Sequence, residues 1–124
     1  MLVLDLHSFG LPLDADIVLD CRFLPIPHWV PGLREQTGLQ QPVNDYVLKQ
    51  DATTDFLERT RDLFAVLLPG YQSEGRHYLT IAIGCTGGRH RSVVLADEIA
   101  RFIDEKGFGV KVIHRDEGRG PVDP

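Results

Sequence analysis

The sequence predicts a three-layer α/β protein, in which a mainly parallel four-stranded sheet carries helices on both faces. Short apolar segments with strand character alternate along the chain with segments of helical period, as in folds whose parallel strands are joined by helices. The 124 residues are enough for one domain with its own core. A turn at residues 84–92, which contains three glycines, separates the most apolar strand from the most regular helix.

The first third of the chain predicts two strands followed by a long loop. Residues 2–9 alternate leucines with polar or small neighbours, which is typical of a strand. Residues 17–21 form a second, shorter apolar segment. Residues 22–37 contain three prolines and a glycine, which predict an ordered loop rather than regular structure. That loop holds His28 and Trp29.

The middle of the chain predicts two helices. Residues 42–48 fit one short helix. A stronger helix is predicted to open at Asp55, because Asp55 and Glu58 have the spacing of a capping box and the apolar positions that follow share one face. Pro69 with the glycine after it predicts the end of this helix.

The last third predicts a strand, a helix and a strand. Residues 78–83 form the most apolar segment, residues 92–106 place their apolar side chains on one helical face, and residues 109–113 alternate again. We expect the domain to span residues 1–116 and residues 117–124 to form a flexible tail.

Composition argues against several classes of protein. Hydrophobic residues make up 43% and charged residues 25% of the chain, as in globular domains. No apolar run approaches the roughly 20 residues that span a bilayer, and no secretory leader pattern opens the chain. We therefore expect a cytoplasmic protein without membrane contact. A net charge of −5 argues against a broad surface for nucleic acid.

Neither a cofactor nor a metal is expected. Two cysteines are too few for a disulfide framework. The five histidines and two cysteines lack the spacing of metal ligands. The glycine-rich signature of P-loop nucleotide hydrolases is also missing.

Basic and hydroxyl side chains follow the predicted strand ends, where sheets of this kind bind ligands. Ser8 ends the first strand, Arg22 and His28 follow the second, and His114 and Arg115 follow the fourth. The turn after the third strand supplies Thr86, Gly87, Gly88, Arg89, His90, Arg91 and Ser92. Glycines let a backbone approach an anion, and a helix N-terminus offers free N–H groups. The sequence therefore predicts one cationic pocket for a phosphorylated small molecule.

The same turn leaves an enzymatic alternative open. Residues 85–92 satisfy C-x-x-G-x-x-R-S, the phosphate-loop pattern of cysteine-dependent phosphatases, in which Cys85 would be the nucleophile and Arg91 the phosphoryl clamp. A glycine precedes the cysteine where many such enzymes have histidine, and only Asp20 or Asp116 offers a general acid. We favour the other interpretation, a buried thiol at a strand end.

Several segments in combination carry a family pattern: residues 20–29 (Asp-Cys-Arg-Phe-Leu-Pro-Ile-Pro-His-Trp), 33–34, 37–39, 42–43, 83–93 and 114–116. This pattern, which extends from about Ser8 to Asp116, resembles the C-terminal domain of the RapZ (YvcJ-type) family. In typical members this domain follows an N-terminal P-loop nucleotide-binding domain. The best-studied branch is an RNase adapter that binds small RNAs and senses glucosamine-6-phosphate.

The resemblance implies ligand contacts at Arg22, His28, Thr86, Gly87, His90 and Arg91, which the strand-end argument also selects. This sequence departs from the family at Ile26 and Trp29, where asparagine and tyrosine are usual. It also lacks the N-terminal domain, so it is expected to be either a stand-alone domain or a piece of a longer protein. The basic tail of RNA-binding members is missing too, which predicts weak RNA binding.

The sequence therefore predicts a regulatory domain that binds a sugar phosphate, such as glucosamine-6-phosphate, or a nucleotide. A Cys85-dependent phosphatase and an adapter for RNA or protein are the alternatives, and self-association into a homo-oligomer stays open.

Overall fold

The computed structural model describes residues 15–27, 30–86 and 88–116, together with the backbone of residues 3–10. The predicted α/β class is confirmed, because the described residues form three helices and a small sheet. In chain order the elements are β1 (Val3–Gly10), β2 (Ile17–Asp20), α1 (Gln41–Leu48), α2 (Asp51–Ser73), β3 (Tyr78–Cys85), α3 (Arg91–Glu105) and β4 (Gly109–His114).

The strands lie in the order β2-β3-β1-β4, and every pairing is parallel. In this register Asp20 at the end of β2 lies opposite Gly84, and Ser8 near the end of β1 lies opposite His114. The carboxyl ends of these four strands therefore meet at one edge of the sheet, which we call the carboxyl edge.

Helices on both faces of the sheet are not confirmed. Helix α3 packs against β1, β3 and β4, and helices α1 and α2 pack against α3. Both helical crossovers, from β2 to β3 and from β3 to β4, run in the same direction across the sheet. Right-handed crossovers that run in one direction place their helices on one face. The sequence does not reveal strand order, so it could not predict this arrangement.

A single core joins the three helices to one face of the sheet. Alternation along β3 directs Leu79, Ile81 and Ile83 into it. The helices contribute Val43, Val47, Leu57, Phe64, Leu68, Leu95, Ile99 and Ile103. Within each helix these positions lie four or seven residues apart, as expected for helices with one buried face. Burial of each such side chain contributes about 1.5–3 kcal/mol.

Helix α2 differs at both ends from its prediction. It begins at Asp51, so Asp55 and Glu58 lie inside the helix rather than at its cap. It also continues through Pro69 to Ser73. A proline inside a helix removes one backbone hydrogen bond. Leu68 is buried beside the exposed Pro69, and Tyr71 packs against the core from the following turn. Core packing on either side therefore outweighs the local preference of proline.

Candidate functional site

The turn between β3 and α3 is built for a close backbone approach. β3 ends at Cys85, Thr86 is exposed, and α3 begins at Arg91. Gly88 has a φ of 72°, in the left-handed region that favours glycine. His90 is the N-cap residue, and its carbonyl accepts a hydrogen bond from the Val94 N–H at 3.2 Å. The first N–H groups of α3 therefore lie at the carboxyl edge.

Arg91 is a buried cation at the first position of α3, with only 4% of the residue exposed. Its Nη1 donates to the carbonyl oxygens of Arg22 at 2.7 Å and Leu24 at 3.0 Å. Its Nε has no hydrogen-bond partner among the described residues, and none of their carboxylates forms an ion pair with it. A cation at a helix N-terminus also opposes the helix dipole. Arg91 therefore has no carboxylate within ion-pair distance among the described residues, at a helix end where an anion would be stabilised.

Arg89 supports the site from the other side. Its guanidinium donates to the carbonyl oxygens of Arg34 at 3.2 Å and Glu35 at 3.1 Å. In return, the carbonyl of Arg89 accepts a hydrogen bond from the Gly38 N–H at 2.8 Å. Two of the three guanidinium nitrogens of Arg89 are therefore engaged with backbone. The predicted ligand role of this residue stays a prediction, and the observed role is to hold a loop.

Gly38 is a residue that the sequence argument missed. A Cβ atom there would lie 2.7 Å from the His90 carbonyl oxygen and 2.8 Å from the Val93 Cβ. The loop thus touches the backbone of the α3 N-terminus at a point where only glycine fits. Gly38 is part of the pattern shared with the family, but the pattern does not say what the glycine contacts.

Arg22 is exposed and already paired. Its Nε lies 2.9 Å from both carboxylate oxygens of Asp20, and its backbone N–H donates to the same carboxylate at 3.0 Å. These hydrogen bonds lower the pKa of Asp20, and the charge of Arg91 lowers it further. The two guanidinium groups therefore act on one carboxylate. To bind an anion, Arg22 must break its ion pair with Asp20, or its guanidinium must contact Asp20 and the anion at the same time.

The two cysteines are free thiols buried at neighbouring strand ends. The Cys21 thiol donates to the Gly84 carbonyl at 3.1 Å, and burial raises the pKa of this thiol. The Cys85 thiol donates to the Ser92 hydroxyl at 3.3 Å, and Cys85 is only 2% exposed. Both thiols are therefore shielded from solvent.

The two predicted site residues at the end of β4, His114 and Arg115, have carboxylate partners. His114 Nε2 lies 2.9 Å from an oxygen of Asp97 on α3. The Arg115 guanidinium donates to the buried carboxylate of Asp116 at 2.9 Å. These contacts attach the end of β4 to neighbouring acidic groups.

Three predicted site positions stand outside this description. His28 and Gly87 lie outside the described residues, and so does the side chain of Ser8. Their ligand roles stay predictions. Residues 117–124, the predicted tail, also lie outside the described residues.

Two features are absent from the described parts of the chain. They contain no group of three or more His, Cys, Asp or Glu side chains that could hold a metal ion. None of their helices has both the length and the apolar character needed to cross a bilayer.

Comparisons with known proteins agree with the resemblance seen in the sequence. A family model described as the RapZ C-terminal domain matches residues 3–118. A nucleotide-binding protein of Thermobifida fusca is 52% identical over 113 residues, covering 91% of this chain and 38% of the relative. Nucleotide-binding proteins of Geotalea daltonii and Geobacter sulfurreducens are 54% and 53% identical over 114 residues, covering 92% of this chain and 40% of each relative. The chain thus spans about two fifths of the length of these relatives.

Proposed function

Because the chain belongs to the RapZ C-terminal domain family, we propose that it is a regulatory binding domain for a phosphorylated small molecule. The phosphate would lie at the N-terminus of α3, against the N–H groups of the first turn and the guanidinium of Arg91. Arg22, the exposed Thr86 and the N-cap residue His90 stand at the same edge of the fold. They would contact the rest of the molecule.

One observation carries this proposal: Arg91 is buried without a carboxylate partner among the described residues. A buried charge is costly unless it is paired. A phosphoryl group would accept hydrogen bonds from the guanidinium and from the helix N–H groups, and such charge-assisted bonds are strong.

The ligand class follows from family membership and from the names of relatives. The family resemblance favours a sugar phosphate such as glucosamine-6-phosphate, and the relatives are named nucleotide-binding proteins. A phosphate bound at α3 suits either class. We place the domain in the cytoplasm, where both kinds of metabolite occur. RNA would be a weak partner, because the net charge of −5 opposes the approach of a polyanion.

Calorimetric titration tests the proposal. Inorganic phosphate and glucosamine-6-phosphate should bind, whereas glucosamine without the phosphate should not. A ligand at 100 times its dissociation constant should stabilise the fold by about 2.7 kcal/mol in a thermal melt.

Two variants assign this binding to α3. Arg91→Lys keeps the charge but loses the planar fork, so phosphate affinity should fall at least about tenfold. Arg101→Ala, an exposed arginine near the end of the same helix, should bind like wild type. Unchanged phosphate affinity in Arg91→Lys would refute the proposed site.

A Cys85-dependent phosphatase is the second candidate. It is favoured by the contact between the Cys85 sulfur and the hydroxyl of Ser92 in the first turn of α3. It is opposed by the burial of the thiol. Hydrolysis of an aryl phosphate by wild type, abolished in Cys85→Ser, would establish it. We expect wild type not to hydrolyse the aryl phosphate. We expect Cys85→Ser to bind inorganic phosphate as tightly as wild type.

A further inference from the structure

A groove between Phe23 and the first half of α2 is not part of the proposed phosphate site. Its lining consists of Phe23, Ala52, Asp55, Phe56 and Arg59, and its volume is about 380 Å³. We call it the Phe23 groove. The Phe23 and Phe56 rings meet edge to face, with centroids 5.5 Å apart and an angle of 68° between planes. Phe23 is nevertheless 61% exposed, which is unusual for so large an apolar side chain.

The exposure of Phe23 does not come from a loose loop. Arg91 donates to the carbonyl groups of the residues on either side of it, Arg22 and Leu24. A further hydrogen bond, from the Leu24 N–H to the Cys21 carbonyl at 3.2 Å, closes the turn. Leu24 itself is buried. The phenyl ring is therefore presented to solvent from a fixed backbone.

The Phe23 groove is also connected to the phosphate site. Only a few covalent bonds separate the phenyl ring from the carbonyl groups that bind Arg91. Phe23 and the two carbonyl groups that bind Arg91 therefore belong to the same turn of the chain.

The lining of the groove suits a ligand with a planar ring that carries polar groups at its edge. Its walls are two phenyl rings and a methyl group, and its only charged groups are Asp55 and Arg59, one turn apart on α2. Neither of these two forms an ion pair within the described ranges. A nucleobase stacks on an aromatic face and presents both donors and acceptors at its edge. A carboxylate and a guanidinium are the complementary partners of such an edge.

We propose that the Phe23 groove holds the base of a nucleotide whose phosphate lies at the N-terminus of α3. This inference rests on the proposed function and narrows its ligand class from phosphorylated metabolites to nucleoside monophosphates. A sugar phosphate without a planar ring would leave the exposed face of the Phe23 ring in solvent. An apolar protein side chain would bury the ring but would leave both charged groups of the groove without partners.

Four probes separate the two halves of this site: AMP, ribose 5-phosphate, inorganic phosphate and adenosine. By calorimetric titration of wild type, AMP should bind at least about tenfold more tightly than ribose 5-phosphate, because base stacking on an aromatic side chain adds affinity of this order. Adenosine should bind weakly and independently of Arg91.

Two aromatic variants provide the matched comparison. Phe23→Ala should remove the advantage of AMP over ribose 5-phosphate and abolish adenosine binding, while phosphate affinity stays unchanged. Tyr78→Ala removes an aromatic side chain that is 72% exposed at the other end of the sheet. It should behave like wild type. Both side chains are exposed, so both variants should fold, and circular dichroism checks this.

The outcomes are distinguishable. Equal affinity for AMP and ribose 5-phosphate in wild type would overturn the base groove and leave the phosphate site standing. Equal loss of all probes in Phe23→Ala would also overturn it, because Phe23 would then support the turn rather than a base. If adenosine binds through Phe23, AMP binds no more tightly than adenosine, and neither inorganic phosphate nor ribose 5-phosphate binds, the proposed phosphate site fails and the nucleotide proposal fails with it.

Discussion

Arg89 and Arg91 flank His90 but use their guanidinium groups to hold two different parts of the loop between β2 and α1. Arg91 donates to the backbone at residues 22 and 24, and Arg89 donates to the backbone at residues 34 and 35. The planar fork of arginine suits this use, because it supplies five N–H donors in fixed directions. The two arginines beside the glycine turn therefore hold the loop in place through hydrogen bonds to its backbone, without a bound ligand.

The variant Arg89→Ala tests whether Arg89 supports the loop between β2 and α1 or contacts the ligand. Loss of its two backbone hydrogen bonds leaves two carbonyl groups unsatisfied and should lower the free energy of unfolding by about 2–3 kcal/mol. Urea denaturation measures this. Arg34→Ala, which removes an exposed side chain but keeps its backbone carbonyl, should cost little. A large loss of phosphate affinity at unchanged stability would show that Arg89 binds the ligand directly.

The pair formed by Asp20 and Arg22 makes stability and binding depend on pH. The pKa of Asp20 is lower in the folded chain, chiefly because Arg22 donates hydrogen bonds to it. The contribution of Asp20 to the free energy of unfolding is therefore fully present above the pKa that Asp20 has in the unfolded chain. It is lost as pH falls through the lower pKa of the folded chain, that is, below about pH 4. The effect on stability should be small, because the pair is largely exposed.

Asp20→Asn is the corresponding variant. It should make unfolding free energy less dependent on pH below about pH 4, measured by urea denaturation across pH. At neutral pH it should tighten phosphate binding several-fold, because Arg22 would no longer have to break its ion pair with Asp20 before it contacts the phosphate. Glu35→Gln, an exposed acidic residue that pairs with Arg34, is the control and should alter neither property. Weaker phosphate binding in Asp20→Asn would contradict this account.

At the scale of elements, the N-terminus of α3 is fixed by contact with a loop far away in sequence. Gly38→Ala would force a methyl group against the His90 carbonyl, which is backbone and cannot rotate away. We expect a loss of about 1–3 kcal/mol in unfolding free energy, together with weaker phosphate binding, because the N-cap must move.

Gly70→Ala is the matched control for that change. A Cβ atom at Gly70, inside α2, meets nothing within 4 Å. Alanine there should stabilise the helix by about 0.5–1 kcal/mol. Thermal or urea denaturation of both variants, with phosphate titration, makes the comparison. Equal stability of the two variants would show that the loop does not press on α3.

The elements were predictable from local pattern, but their arrangement was not. Alternation and helical period predicted each strand and helix, since both are properties of neighbouring residues. The end of α2 was wrong, because burial around Pro69 outweighs the local signal. The sequence predicted a ligand site at the Arg-His-Arg cluster, and this ligand role stays a prediction. What the sequence could not predict is that Arg89 and Arg91 donate to the backbone of residues more than 50 positions away.

At the scale of the whole molecule, net charge limits the partners. A chain with a charge of −5 should bind RNA no better than the non-specific range of about 10⁻⁴–10⁻⁶ M at physiological salt. Any RNA that does bind should be displaced by a phosphorylated metabolite, because both need Arg91. Fluorescence anisotropy with a labelled RNA, at two salt concentrations, checks both points. Submicromolar, sequence-selective binding that survives Arg91→Lys would reveal a surface that this account does not include.

The two arginines also bear on when the site comes into existence. The bonds from Arg89 span 54 and 55 positions, and those from Arg91 span 67 and 69. Contacts between distant segments form late, since the chain must first lose the entropy of closing long loops. A partly folded chain can contain α3, but it lacks the contacts between the loop carbonyl groups and the two arginines at the start of α3. The proposed anion site is therefore complete only in the folded chain, and a partly folded chain should not bind the ligand until both parts of the loop between β2 and α1 contact these arginines.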